Sequence, residues 1–181
     1  MDFNLQNSVA LLARTPATLN ALLRDLPDAW TTASEGENTW TPVDVVAHLL
    51  YTDRSNWKPR AQTILQFGET KPFDPFRRFG HIDEREGKSL PQLLDEFAKV
   101  RSAILIEIRA WNLGQNDLDK RGQHPALGTV TLSQLFAAWT VHDQTHLHQI
   151  TRILAHQYRE AVGPWAKFLG VLQCNGHSVP A

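Results

Sequence analysis

The residues of this chain best suited to chemistry lie in one short segment, His142-Asp143-Gln144-Thr145-His146-Leu147-His148-Gln149. Successive residues of an α-helix turn by about 100°, so His146 falls about 40° from His142 and one turn along. Gln149 falls within about 20° of His142 on the other side, which places all three on a narrow stripe. Two imidazoles at i and i+4 can chelate one metal ion, as on metalloprotease helices. His148 lies about 240° from His142 and points elsewhere, and His156 returns to the stripe about 21 Å farther along the axis. A pair is an incomplete site, so a third ligand must come from a facing helix. His48 is the best candidate. It is bracketed by Ala47, Leu49 and Leu50, and an interior imidazole left unpaired costs about 1–3 kcal/mol. The competing reading is ordinary: a lone interior histidine is more often hydrogen-bonded to a core neighbour. His81, His124, His148, His156 and His177 fall in loops, off the stripe or at the tail, and none is expected to be a ligand.

Three neutral imidazoles around one divalent ion leave a position open, the pattern of a catalytic rather than a structural site. A water there has its pKa lowered toward about 7, giving a hydrolase. A substrate thiol would be deprotonated outright, giving a thiol S-transferase. Gln149 and Asp143 are candidates for orienting a ligand ring; the alternative for each is a solvated helix face or a packing contact. Asp53, on the helix that carries His48, is a weaker candidate, and no residue marks itself as a catalytic group beyond the metal ligands. Imidazole suits zinc, nickel, copper and iron, and zinc or nickel is the expected ion.

These residues need helices to hold them, and the chain supplies helix signals in series. A first helical region covers about residues 4–26, with a break near Thr15-Pro16, where Thr15 is expected to cap a second segment. A second helix starts at Thr41-Pro42-Val43-Asp44, with Thr41 as N-cap and Asp44 in the first turn; Pro59 should kink or restart it and Gly68 end it. Residues 68–88 are rich in Pro, Gly and charge and read as a long loop. A third helix begins with the capping box Ser89-Leu90-Pro91-Gln92 and carries an apolar stripe to about Trp111. After a loop over about 113–130, the capping box Thr131-Leu132-Ser133-Gln134 opens a fourth helix running to about Glu160. Residues 164–173 read as a short C-terminal helix. Only Thr129-Val130-Thr131 hints at a strand, so the reading is an all-α four-helix bundle forming a single domain over 1–181.

Composition narrows the function. The chain has 181 residues, 42% hydrophobic and 20% charged, with a formal net charge of −1, the profile of a globular protein. No basic stripe exists to neutralise phosphates, which argues against nucleic-acid binding. The single cysteine, Cys174, excludes an internal disulfide and has no activating neighbour. The N-terminus lacks a basic, apolar leader and no run of about 18 apolar residues occurs, so a cytoplasmic protein without a membrane span is expected. Trp40, Trp57, Trp111, Trp139 and Trp165 can line a pocket but are as well suited to packing. Phe73, Phe76, Arg77, Arg78 and Phe79 sit in the 68–88 loop, where they could gate a site or meet an anionic cosubstrate; a solvated loop pair is the plainer use of the arginines.

Two segments carry a family resemblance: Trp40-Thr41-Pro42-Val43-Asp44-Val45-Val46-Ala47-His48-Leu49 and His142-Asp143-Gln144-Thr145-His146-Leu147-His148-Gln149-Ile150. They resemble the signature segments of the DinB-like superfamily, and similar stretches at Leu11–Pro16, His124–Thr131 and Tyr158–Trp165 extend the likeness over nearly the whole chain. The resemblance implies up-down-down-up connectivity, a three-histidine divalent metal site whose ligand positions fall on His48, His142 and His146, and often a homodimer. Members with assigned chemistry include transferases of low-molecular-weight thiols and a thiol-dependent isomerase, and many others are classed as metal-dependent hydrolases. The implied partner is a small-molecule substrate, in some members a low-molecular-weight thiol, and nothing in the chain selects one member. The reading is thus a metal-dependent hydrolase or thiol S-transferase. The alternative is a non-catalytic metal- or ligand-binding stress-response protein.

Overall fold

The computed structural model describes residues 2–174. Its helices are α1 (Leu5–Leu12), α2 (Thr15–Leu23), α3 (Asp28–Thr31), α4 (Pro42–Thr52), α5 (Lys58–Phe67), α6 (Gly80–Arg85), α7 (Leu90–Ala110), α8 (Gln115–Leu118) and α9 (Leu132–His156). Four bundle helices emerge from α1–α2, α4–α5, α7 and α9. Their directions follow from residue pairs that touch. Arg24 pairs with Asp95 while Arg101 reaches the Leu12 carbonyl, so α1–α2 and α7 are antiparallel. Asp53 meets Arg101 and Lys58 meets Glu107, so α4–α5 and α7 run parallel. Ser8 contacts Thr140 and Thr15 contacts Asp143, so α1–α2 and α9 are parallel. The order is therefore up-down-down-up.

Capping boxes at Thr41/Asp44, Ser89/Gln92 and Thr131/Gln134 start α4, α7 and α9, each satisfying N–H groups that a helix start leaves without intrahelical partners. The break near residue 15 is present, but Thr15 does not cap α2. Arg14 occupies the N-cap position without a side-chain capping bond, and the Thr15 hydroxyl donates to Asp143 Oδ2 at 2.6 Å. Pro59 restarts the second bundle helix, as α5 from Lys58. The turn before it widens into a π turn, Asp53–Trp57. Proline has no N–H for the carbonyl four residues back and its ring crowds that carbonyl, so a wider turn relieves both. The π turn keeps Asp53, Asn56 and Trp57 buried.

The 68–88 stretch is not all loop: Gly68–Thr70 forms a 3-10 turn and Gly80–Arg85 is α6. α6 lies against α4, and a Cβ on Gly80 would fall inside the Tyr51 ring, so glycine permits this approach. The hint of a strand at 129–131 is one arm of an antiparallel hairpin, β1 (Arg121–His124) with β2 (Gly128–Thr131). Its partner Arg121-Gly122-Gln123-His124 has no apolar alternation to reveal it. α9 ends at His156, four residues early, and the terminal helix consists of two 3-10 pieces, Gly163–Phe168 and Gly170–Leu172.

The core is in two apolar parts. One gathers Leu12, Trp57, Ile64, Ile104, Ile108 and Trp139; the other Leu19, Val46, Leu49, Leu93, Phe97 and Ile150. Between them lies a polar level built from α4, its π turn, α7 and α9. No helix among the described residues is long and apolar enough to cross a membrane.

Candidate metal centre

His48 sits on α4, and His142 and His146 sit one turn apart on the antiparallel α9. Their ring nitrogens converge. Nε2 of His142 lies 3.1 Å from Nε2 of His48 and 3.1 Å from Nε2 of His146, and all three candidate ligand atoms lie within 4.8 Å of one another. His48 and His146 are buried, 7% and 5% exposed, and His142 is half-buried. Gln149 Oε1 stands 2.7 Å from His146 Nδ1, so it accepts the Nδ1 proton and leaves His146 Nε2 as a lone-pair donor facing the cluster. One proton on His142 Nε2 can serve only one of its two close contacts, whereas a divalent cation accepts a lone pair from every ring. Separations of this size suit nitrogens that share an ion at about 2.0–2.1 Å. The donor set fits a metal ion.

Aromatic rings enclose the cluster. Trp40, just before the α4 cap, stacks on His146 with centroids 6.0 Å apart and tilts over His48 at 4.9 Å. Trp57 from the π turn meets His142 edge-on at 5.0 Å, and Phe76 meets His48 edge-on at 6.3 Å. His81 was expected to lie apart from the site. The structure buries it, 4.4 Å from Trp40 and 5.9 Å from His48 between ring centroids, because α6 carries it onto α4. Burial holds its imidazole below the ordinary value, against the pull of Asp44. It is not among the converging ligand atoms. Arg77 and Arg78 are occupied elsewhere, Arg77 with Asp83 at 2.9 Å and Arg78 over the Phe79 ring.

Asp143 is neither a solvated residue nor a hydrogen-bond partner of a histidine ring. It is buried beside Arg101, which pairs with both Asp53 and Asp143. Distances are 2.7 and 2.9 Å from Arg101 Nε and Nη2 to Asp53, and 2.5 and 3.1 Å from Nη1 and Nη2 to Asp143. The layer holds two carboxylates and one guanidinium, a formal charge of −1 next to His142. Burial raises the Asp53 carboxyl to about 6 despite the opposing pull of Arg101, with Asp143 adding to the rise. Burial works against the Arg101 charge, but the two carboxylates outweigh it and hold the guanidinium above its ordinary value.

Sequence reasoning passed over Arg101. Its signal was an arginine in line with Phe97, Ile104 and Ile108 on the apolar stripe of α7, where a charge stays only if paired. Among the other histidines, His124 Nδ1 accepts from the Ala126 and Leu127 amides in the hairpin turn, His148 is exposed, and His177 lies outside the described residues.

The molecule is thus a mostly helical four-helix bundle with three histidines converging between two antiparallel helices. The chain belongs to the DinB superfamily, whose family model matches residues 11–150. No curated protein matches it significantly. Among solved structures it is similar to YfiT from Bacillus subtilis, with a TM-score of 0.71 at 17% identity over 84% of this chain and 86% of that one. YfiT is described as a probable metal-dependent hydrolase with an unusual four-helix bundle topology.

Proposed function

We propose that this chain is a metal-dependent enzyme of hydrolase type, acting on a small molecule, with His48, His142 and His146 holding one divalent ion, zinc or nickel. The observation that carries this reading is the convergence of three Nε2 atoms from two helices. When bound, the ion supplies Lewis-acid activation of a water, or of a substrate thiol, in the position the histidines leave open. The chain's own residues prepare that position. Gln149 keeps the proton of His146 on Nδ1, so Nε2 stays available. Trp40, Trp57 and Phe76 place apolar surface beside the nitrogens, which lowers the local dielectric and strengthens electrostatic interactions there. The net negative charge of Asp53, Arg101 and Asp143 favours a cation nearby. The likeness to YfiT supports hydrolysis ahead of thiol transfer.

Quantitative metal analysis tests the reading. The purified chain is expected to carry about one equivalent of divalent metal, and His142→Ala and His48→Ala to lose it. A parent that holds no metal after reconstitution with zinc and with nickel would overturn the proposal.

A further inference from the structure

The five N–H donors of a guanidinium form a rigid planar fork, and in Arg101 every one of them is engaged. Nε and one N–H of Nη2 grip Asp53; the other Nη2 N–H and one N–H of Nη1 grip Asp143; the last Nη1 N–H donates to the Leu12 carbonyl at 2.9 Å. The rings of Phe97 and Trp139 lie 4.8 and 5.1 Å from the guanidinium carbon. Thr15 adds a bond from α2 to Asp143. The Arg101 side chain therefore ties α7 to the other three bundle helices. Its two carboxylate partners sit five residues after His48 and directly after His142.

Stability alone is a poor reason to keep such a layer. A buried ionic network can often be replaced by apolar side chains of similar volume at no net loss, and its best-attested use is to fix register. The histidine cluster needs register. A slip of one residue moves a helix by about 1.5 Å and turns its side chains by about 100°, which would destroy the 3.1 Å nitrogen separations. We propose that Arg101 is a positioning residue for the histidine cluster, holding α4 and α9 in the one register at which His48 meets His142 and His146. Its link to metal binding rests on the reading of that cluster as a metal site, and the experiment separates the two.

The full-length parent is compared with Arg101→Lys, with the triple variant Asp53→Leu, Arg101→Met, Asp143→Leu, and with Ile108→Ala, a core change away from the polar level. Three quantities are measured: thermal stability, cobalt(II) affinity by visible absorbance, and the rate at which diethyl pyrocarbonate modifies His48 and His146 in metal-free protein, mapped by mass spectrometry. The triple variant is expected to keep near-parental stability, lose about 10–100-fold in cobalt affinity, and expose His48 and His146 to modification as fast as His148. Arg101→Lys keeps the charge but not the fork, and is expected to show the same losses. Ile108→Ala is expected to be less stable yet keep cobalt affinity and protection. Parental affinity and protection in the triple variant would overturn the proposal, and should that variant not fold, parental values in Arg101→Lys would do so. If the parent takes up no cobalt but protection still fails in both Arg101 variants, positioning stands and the metal reading falls.

Discussion

Two polar clusters lie side by side in the core, and they differ in the groups that build them. In the Asp53–Arg101–Asp143 layer every guanidinium proton has an acceptor and both carboxylates are bridged. In the histidine cluster ring nitrogens face one another at 3.1 Å, each a donor or an acceptor according to its tautomer. The first cluster is complete within the chain and serves architecture. The second is the proposed metal site. Both join α4 to α9, so the ionic layer can hold the histidine cluster in shape.

The contrast is sharpest in metal-free protein. Removing one member of the complete cluster strands buried charge, so Arg101→Met alone is expected to destabilise by about 3–5 kcal/mol. His142→Ala removes a half-buried ring from a crowded cluster and is expected to cost under about 1 kcal/mol. Urea denaturation of both variants checks the pair. Equal losses would erase the distinction between architecture and binding.

The same layer should leave a mark on the pH dependence of stability. Burial pushes the folded Asp53 carboxyl up to about 6, from an ordinary 3.8, so the folded state holds its proton more tightly than the unfolded state does. Between these values unfolding releases a proton, and stability falls as pH rises, by up to about 1.4 kcal/mol per unit for one proton. The contribution is fully present below 3.8 and lost as pH passes about 6. Asp44 acts oppositely: burial opposes its ionisation, but bonds from Thr41 and Arg85 outweigh it and lower its carboxyl. Because Asp44 is common to both proteins, the difference in slope between the parent and Asp53→Asn isolates Asp53. Identical slopes in denaturation series across pH 4 to 6 would show that Asp53 is not proton-linked in this way.

Much of this was legible from local signals. The Thr41 N-cap, the capping boxes at Ser89 and Thr131 and the i, i+4 histidines are written within single turns, where sequence and structure correspond almost directly. His48 was legible as a polar residue in an apolar run. What escaped was decided between segments. Thr15 carries the pattern of an N-cap, but a carboxylate from α9 captured its hydroxyl. His81 sits in a stretch with loop composition, and only the docking of α6 on α4 brings it to Trp40. Arg121-Gly122-Gln123-His124 becomes a strand because β2 pairs with it, not through a period of its own. Arg101 was readable only as an anomaly, since its meaning depends on two aspartates 48 and 42 residues away.

The finest division between the two kinds of polar group runs along α9 itself, between neighbours Gln149 and His148. Gln149 is buried and holds the Nδ1 proton of His146, whereas His148 is exposed. Gln149→Leu keeps the volume but leaves His146 free to adopt either tautomer, and is expected to weaken metal affinity about 10–100-fold with little change in helix content. His148→Ala touches neither cluster, and is expected to leave metal affinity unchanged and stability within about 0.5 kcal/mol. Cobalt titration and thermal denaturation of the two variants check both halves. A loss of affinity in His148→Ala would mean that the binding cluster reaches around the helix to its solvent face. Parental affinity in Gln149→Leu would mean that the aromatic enclosure alone holds the His146 ring.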